Sequence, residues 1–174
     1  PGWFITPAVV VDHTQYDLDN RMAGLDGNPS RTVPIASLDT GLYLERSMNS
    51  GRRAQTLEPR LLYVHVPFRE QSGLPVFDTI SPDLNLVQLF RKNRYLGVDR
   101  IADTDQLSIG VTSRIIDVNS GRELMSATIG QALYLSQQRV ALPGESPIIL
   151  ASSDYIAEIR VLLSDNLNFD VGHQ

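Results

Sequence analysis

Apolar and polar side chains alternate along most of this 174-residue chain, and the alternation limits the folds open to it. Between residues 105 and 117, the odd positions from Leu107 to Ile115 are mostly apolar, whereas the even positions from Ser108 to Arg114 are small or polar. A period of two places successive side chains on opposite faces of a β-strand. We therefore expect strands with one apolar face and one polar face.

The same period recurs along the chain. It predicts strands at residues 3–16, 34–46, 55–67, 105–117, 123–135 and 153–163, and the start of a seventh at Leu167, Phe169 and Val171. The connections are long at 17–33, 68–104 and 136–152, and short at 47–54, 118–122 and 164–166. Asn, Ser, Gly and Asp recur in the short connections, as is typical of tight turns.

One long connection carries a helix signal. Within residues 68–104 the alternation stops, and Asp83 precedes a run in which Leu86, Leu89 and Phe90 fall on one helical stripe. An N-cap carboxylate accepts hydrogen bonds from the first N–H groups of a helix. The pattern predicts a short helix with Asp83 as its N-cap.

The alternating connection lengths distinguish two all-β architectures. Outer-membrane barrels combine short periplasmic turns, long extracellular loops and spans of about 9 to 11 residues. A soluble sandwich has no geometric reason to gather its long connections at one end. The sequence predicts an all-β fold: an antiparallel, up-and-down transmembrane β-barrel segment of about six strands and part of a seventh, with a short helix in a long extracellular loop.

This number of strands is too small for a closed barrel, whose smallest usual form has about eight. The chain also opens on Pro1, Gly2 and Trp3, inside a predicted strand. We therefore expect residues 1–174 to be one partial barrel domain, incomplete at both ends.

Composition and motifs argue against several functions. The net charge of −5 gives no reason to expect a nucleic-acid partner. There is no cysteine for a disulfide or a thiolate metal site, and His13, His65 and His173 lack metal-ligand spacing. Nucleotide-binding and nucleophile motifs are also missing from the sequence. We expect no metal, no cofactor and no enzyme activity.

Three stretches carry a more specific signal: QTLEPRLLYVHVPFREQSGLPVFDT at 55–79, LFRKNRYLGVDRIADTDQLSIGVTSRI at 89–115 and SATIGQALYL at 126–135. In order and spacing they resemble the barrel domain of the lipopolysaccharide-assembly protein D family. The resemblance covers about the central half of the chain, and the flanking strands agree with it in pattern only.

The resemblance implies a large barrel in the bacterial outer membrane. In that family, a partner lipoprotein plugs the barrel, periplasmic bridge proteins deliver lipopolysaccharide, and a lateral opening releases it into the outer leaflet without catalysis. The family's periplasmic domain, signal peptide and disulfide cysteines have no counterpart in these residues. The family's gate lies where the first and last strands meet, so we do not assign it to this segment.

Charged residues within the predicted strands are the first candidate site. The residues predicted to face the lumen are Glu58, Arg60, Arg114, Glu158 and Arg160. One interpretation is a wall that contacts the plug or the saccharide of lipopolysaccharide. The other is that these charges pair with neighbours across the sheet.

The long connection at 68–104 holds the second candidate set. Its predicted contact residues are Arg69, Arg91, Arg94, Asp99 and Arg100. With Lys92, the arginines have the charge needed to attract phosphate groups of the lipid at the cell surface. Acidic residues share the segment, so a compact loop whose charges pair internally is the alternative.

Three functions of different classes remain open from the sequence. The first is transport of lipopolysaccharide through a barrel surrounded by membrane lipid. The second is a generic outer-membrane porin or receptor, for which the family resemblance would be accidental. The third is a soluble β-sandwich binding module, in which the apolar strand faces would form a shared core.

Overall fold

A computed structural model describes residues 2–19, 27–164 and 167–173 of the chain. Its seven strands form one antiparallel sheet in chain order, which confirms the predicted all-β class and strand sequence. The strands are β1 Gly2–Gln15, β2 Ser30–Met48, β3 Arg53–Val66, β4 Thr104–Asp117, β5 Glu123–Tyr134, β6 Ile156–Ser164 and β7 Leu167–His173. The described residues do not form the two facing sheets of a sandwich.

Two predicted connections lie partly outside the described residues. Positions 20–26 belong to the predicted long connection at 17–33, and positions 165–166 belong to the predicted short turn at 164–166.

The start of β2 corrects one prediction. Residues 30–33 were expected in a loop, but Arg31 pairs with Thr14 and Val33 pairs with Asp12 of β1. Both Arg31 and Val33 are buried. Neighbouring Asn, Pro and Ser residues made this stretch resemble a turn, and tertiary burial overrides that local preference.

The start of β6 also differs from the prediction. The strand begins at Ile156, not at residue 153. Ser153 instead accepts a hydrogen bond at Oγ from the Ala132 backbone N–H at 3.0 Å, and its own N–H donates to the Ala132 carbonyl at 2.9 Å. The side chain of Ser153 thus bonds the backbone of β5 at a position where the sequence predicts a residue of β6.

The short helix is present, but its cap is not Asp83. Helix α1 spans Leu86–Leu89, and Asn85 is its N-cap. Asn85 Oδ1 accepts hydrogen bonds from the N–H groups of Val87 at 2.9 Å and Gln88 at 3.0 Å. Asn85 holds the cap because it immediately precedes the first helical residue, and an Asn amide oxygen satisfies first-turn N–H groups as a carboxylate does.

The two described short turns are built from the expected residues. Asn49 and Ser50 adopt positive φ angles of 53° and 57° in the turn between β2 and β3. Between β4 and β5, the Asp117 carboxylate accepts hydrogen bonds from the N–H groups of Asn119 at 3.1 Å and Ser120 at 2.9 Å. Asn tolerates left-handed backbone, and Asp bonds the backbone ahead of it, so both turns are encoded locally.

The two faces of the sheet differ. The insertion, residues 67–103 between β3 and β4, packs on one face, which we call the covered face; the opposite face is the bare face. Leu62, Val64 and Val66 of β3 pack with Ile101 and Phe90 of the insertion. The largest hydrophobic cluster therefore lies between the sheet and the insertion, towards the long connections.

Two smaller clusters extend this core. One contains Leu89, Ala132 and Ile156, and the other contains Tyr95, Ala102 and Val140. Leu89 belongs to α1 and is fully buried, so the helix is fixed to β5 and β6 through a single leucine and its neighbours. This contact positions the polar residues around the helix.

Large apolar side chains stand exposed on the bare face. They include Trp3, Ile5, Val9, Val11, Leu42, Leu57, Ile109, Ile129, Ile159, Phe169 and Val171. Val9 is 79% exposed and Ile129 is 52% exposed, values that in a water-facing sheet would mark an aggregation or interaction surface. No helix among the described residues is both long and apolar enough to cross a membrane.

Candidate functional site

Arg114 lies on the covered face between two carboxylates. Its guanidinium contacts the Glu58 carboxylate, and its Nε lies 3.1 Å from Glu123 Oε2. Thr56 Oγ1 also donates to Glu58 at 2.7 Å. The strand register brings these residues together, because Thr56 pairs with Arg114 across β3 and β4. The positive charge of Arg114 is therefore neutralised within the sheet.

Within the described residues, one carboxylate pairs with Arg60. Its Nη2 lies 2.6 Å from Asp39 Oδ2, and its Nε donates to Asp39 Oδ1 at 3.0 Å. This two-point geometry matches the planar fork of a guanidinium to a carboxylate. The Phe90 ring of the insertion lies over the same guanidinium, 4.5 Å from centroid to carbon. Arg60 thus joins the sheet to the insertion.

Arg160 repeats the pattern on the last two strands. It donates to Asp170 at 2.6 Å and to Glu158 at 3.0 Å. The residues predicted to share a polar face therefore do share one: Glu58, Arg60, Arg114, Glu158 and Arg160 all lie on the covered face. Each of these three arginines has a carboxylate partner.

A cleft of about 950 Å³ separates α1 from this charged half of the face. One part of its lining is apolar and includes Phe4, Tyr43, Leu86, Val87 and Phe90. The other part is polar and includes Glu58, Arg60, Arg91, Thr112, Arg114 and Thr128. The cleft can therefore contact apolar and hydroxyl-bearing groups of one molecule.

A row of glycines explains how the insertion approaches the sheet. Gly41, Gly110 and Gly130 lie in one row across β2, β4 and β5. A Cβ added at Gly110 would lie 2.9 Å from the Phe90 ring, and one added at Gly130 would overlap Leu89. Glycine in a strand often marks a close approach of another element. Gly110 and Gly130 provide the space for Phe90 and Leu89 of the insertion, whereas a Cβ at Gly41 would meet Phe4 of β1.

A buried arginine links the other end of the insertion to the sheet. Arg31 is 4% exposed and donates to Gln71 Oε1 at 3.0 Å and to the Asp99 carbonyl at 2.7 Å. It also pairs with Asp12 of β1 at 2.9 Å. The side chain therefore joins β1, β2 and two parts of the insertion.

Asp99 is the acidic centre of the same network. Its carboxylate accepts hydrogen bonds from Tyr16 Oη at 3.0 Å and from the N–H groups of Phe77 at 2.7 Å and Asp78 at 2.8 Å. Burial by itself raises the pKa of Asp99, but these hydrogen bonds outweigh it and lower the pKa below its ordinary value. Burial, followed by the bond to Asp99, raises the pKa of Tyr16.

Arg100 has backbone carbonyls as its partners. It donates to Leu74 at 2.6 Å and to Pro75 at 3.0 Å, and burial lowers its pKa. Of the residues predicted as loop contacts, Asp99 and Arg100 are thus buried and bonded inside the insertion. For these two residues, the structure agrees with the second interpretation of the insertion, a compact segment whose charged groups bond internally.

The other predicted loop residues are placed differently. Arg69 and Arg91 are exposed. Arg94 is partly buried, stacks on the Tyr95 ring at 4.4 Å and donates to the Val140 carbonyl at 2.8 Å. Positive charge therefore remains available at one side of the insertion.

Sequence reasoning missed several residues that hold the site. Arg31 lay in a predicted loop, and Tyr16, Gln71 and Asp103 were not candidates. Asp103 accepts hydrogen bonds from the N–H of Arg139 at 2.9 Å and Val140 at 2.8 Å, which fixes the segment after β5 to the insertion. The only available signal was the clustering of Asp with Arg in DRIAD; the sequence did not indicate their partners. The described residues contain no group of three or more potential metal-ligating side chains.

Fold and site together define a class: a single antiparallel β-meander with a bare apolar face, a charge-paired opposite face and a long segment packed on that second face. The family model LptD, described as LPS transport system D, matches residues 1–174. The chain belongs to this family.

Relatives named LPS-assembly protein LptD agree with this assignment. The Aromatoleum aromaticum protein is 50% identical over 147 residues, covering 83% of this chain and 19% of the relative. The Bordetella parapertussis protein is 43% identical over 185 residues, covering 100% of this chain and 23% of the relative. The Nitrosococcus oceani protein is 42% identical over 166 residues, covering 94% of this chain. The chain thus spans about a fifth of the length of the relatives it matches.

Proposed function

We propose that this chain is part of the wall of an outer-membrane β-barrel that passes lipopolysaccharide from the periplasm to the outer leaflet. The contrast between the bare and covered faces of one sheet carries the proposal. An apolar face opposite a polar face suits a boundary between lipid and an aqueous interior. Family membership supplies the substrate, since the relatives are named for lipopolysaccharide assembly.

In this proposal, lipid covers the bare face. Ile109 and Ile129 are exposed neighbours on β4 and β5, with no insertion above them. Backbone groups within the hydrocarbon region require internal hydrogen-bond partners, so an open sheet edge is not tolerated there. The outer edges of β1 and β7 therefore pair with further strands of the complete barrel.

The covered face lines the interior, and its arginines are arranged for passage. A free guanidinium binds phosphate through two parallel hydrogen bonds. On this wall, Arg60, Arg114 and Arg160 already have carboxylate partners, so an anionic glycolipid finds few strong attachment points. Weak attachment favours movement along the wall, and no step requires catalysis.

Orientation and partners follow from the same arrangement. The short turns face the periplasm, because short connections of such barrels lie there and long ones lie outside. The insertion therefore enters the interior from the extracellular ends of β3 and β4. A plug lipoprotein occupies part of the interior, and periplasmic bridge proteins deliver the substrate. The family model, described as LPS transport system D, supports handling of lipopolysaccharide by a transport machinery, and we propose these two kinds of partner for it.

Spin-label accessibility along β4 of the complete protein in bilayers tests the wall. We expect oxygen, which partitions into lipid, to relax labels at Leu107, Ile109, Val111 and Ile115. Labels at Thr112 and Arg114, which lie on the covered face, should not show this response. A label at Val98, an exposed apolar residue of the insertion, is the control and should respond to a water-soluble relaxer. If neither β4 set senses lipid, the wall assignment is wrong.

Passage along the wall is tested by Asp39→Asn. Arg60 lines the cleft, and Asp39 is the only carboxylate of the described residues that pairs with it, so this change removes that partner. A freed guanidinium should bind the phosphates of lipopolysaccharide, and about 1.4 kcal/mol of added affinity corresponds to tenfold longer retention. We expect roughly tenfold slower delivery from the complete protein to acceptor vesicles, and more lipopolysaccharide retained on it.

Glu45→Gln is the matched control for that experiment. Glu45 lies on the same face, opposite Thr56, and forms no ion pair within the described part of the chain. It loses the same charge without freeing an arginine. Equal slowing in both variants would mean that overall charge controls delivery, and the paired-wall mechanism would fail.

A further inference from the structure

A second, smaller cavity lies beneath the insertion and shares only Arg91 with the lining of the cleft beside the wall. Its volume is about 150 Å³. It is bordered by the segment around α1, the start of β4, the end of β5 and the residues that follow β5. Its polar lining residues include Gln88, Arg91, Lys92, Arg94, Tyr134 and Gln138.

The charge of this cavity is one-sided. Arg91, Lys92 and Arg94 line it, and none of its described lining residues is Asp or Glu. Within the described residues, neither Arg91 nor Lys92 forms an ion pair, and both are exposed. This is the reverse of the wall, where each arginine has a carboxylate partner. A cationic lining of this kind favours an anionic ligand.

One of the three cations is held in a fixed position. The Arg94 guanidinium stacks on the Tyr95 ring at 4.4 Å and donates to the Val140 carbonyl at 2.8 Å. The nearby carboxylate of Asp103 is occupied by the N–H groups of Arg139 and Val140. In the part of the chain that the structure describes, no carboxylate forms an ion pair with Arg94, which lines the cavity.

Unpartnered polar atoms concentrate around the same cavity. Four buried side-chain atoms among the described residues have no hydrogen-bond partner, and three belong to residues that line it: Gln88 Oε1, Arg94 Nε and Gln138 Oε1. Gln138 is 1% exposed. Buried polar groups normally have partners, so such a concentration needs a reason. The two amide oxygens can accept hydrogen bonds from hydroxyl groups, whereas Arg94 Nε can donate one to an acceptor.

We propose that this cavity recognises a phosphate-bearing sugar unit. Arg91, Lys92 and Arg94 bind the phosphate, and small rotations of the Gln88 and Gln138 amides let their oxygens accept hydrogen bonds from sugar hydroxyls. The volume equals roughly five water molecules, so the site takes one small unit of a larger molecule, not an extended chain. The inference rests on the proposed function only in naming lipopolysaccharide as the carrier of that unit.

Titration of the complete protein in detergent micelles, followed by phosphorus NMR, tests the site. The probes are glucose 6-phosphate, inorganic phosphate and, in a competition arm, glucose. We expect glucose 6-phosphate to bind more tightly than either of the other two. Arg91→Gln with Lys92→Gln should weaken that binding at least tenfold. Arg69→Gln, which removes an exposed cation of the insertion outside the cavity, should leave it unchanged.

A further variant tests the hydroxyl contact. Gln88→Leu should weaken glucose 6-phosphate without changing the affinity for inorganic phosphate. Equal binding of glucose and glucose 6-phosphate, equal binding of both phosphates, or binding unchanged by the Arg91 and Lys92 substitutions would overturn the proposal. Binding of none of the probes would mean that the cavity holds water only, and would also overturn it.

Competition identifies the source of the sugar. Displacement of glucose 6-phosphate by intact lipopolysaccharide, but not by phosphatase-treated lipopolysaccharide, assigns the site to the transported molecule. Failure of both to compete, with binding still dependent on Arg91 and Lys92, supports a site for free sugar phosphate. Delivery to acceptor vesicles is measured in parallel. If delivery of lipopolysaccharide is normal but the protein binds no probe, the proposal of a sugar-phosphate site is wrong and the proposed function is unaffected.

Discussion

Asp99→Asn is expected to release the insertion from the sheet. The carboxylate accepts the Tyr16 hydroxyl and two backbone N–H groups, and its charge offsets buried Arg31 and Arg100. Arg31 keeps its ion pair with Asp12, but the substitution removes the acidic charge that acts on buried Arg100, at a cost of about 3 kcal/mol. Hydrogen exchange of the Phe77 and Asp78 amides should therefore lose roughly two orders of magnitude of protection in the complete protein.

Asp83→Asn provides the control for this result. Asp83 is an exposed residue of the same insertion, and the substitution makes the same chemical change. Exchange at Phe77 and Asp78 should be unaltered in that variant. Unchanged protection in Asp99→Asn would show that the network does not hold the insertion.

Acid should mimic the Asp99 substitution. Because the folded-state pKa of Asp99 lies below its ordinary value, its stabilisation is fully present above the ordinary pKa of about 4. It is lost as the pH falls through the lower folded-state value. Opening of the insertion should thus increase below about pH 4, and this Asp99-dependent part of the acid response should be absent in Asp99→Asn.

The strands could be predicted because side-chain direction in a strand is a local property. Ile109 and Arg114 fall on opposite faces for any partner that the strand acquires. The same reasoning placed Glu58 and Arg60 on one face before their partners were known. It did not show that Asp39 pairs with Arg60, because register depends on the turns and on the neighbouring strand.

The insertion could be predicted only as an interruption of the pattern. Arg31 donates to the carbonyl of Asp99, 68 residues later in the chain. No local preference encodes such a contact, so Arg31 resembled a loop residue and Asp99 resembled a surface charge. Both are buried because the insertion folds back onto the sheet. The alternation of apolar and polar residues and the amino-acid composition do not predict such a tertiary contact.

The row of Gly41, Gly110 and Gly130 could be predicted in part. A glycine inside an alternating strand, such as Gly110 or Gly130, signals a close approach from the sequence alone. The sequence does not say what approaches. The structure identifies Phe90 and Leu89, and therefore which residues a side chain at these positions would displace.

Gly130→Val is expected to displace α1 from the sheet. Any Cβ at this position overlaps the Leu89 side chain and lies 2.9 Å from the Ile109 carbonyl oxygen. Leu89 is fully buried, and its pocket of Ala132 and Ile156 belongs to a rigid sheet, so the helix must move. Overpacking of this kind costs roughly 1 to 3 kcal/mol, and the lost burial of a leucine adds about 2 kcal/mol.

Distances between spin labels at Val87 and Asn119 of the complete protein measure that displacement. Both residues are exposed, one on α1 and one in the turn between β4 and β5, so the labels should leave the native protein with a single narrow distance distribution. Gly130→Val should broaden the distribution and shift it. Gly172→Val is the matched control, because a Cβ there meets nothing closer than the Ala157 carbonyl oxygen at 3.7 Å. A narrow, unshifted distribution in Gly130→Val would mean that the sheet yields and the helix does not, and the glycine row would lose its role in seating the insertion.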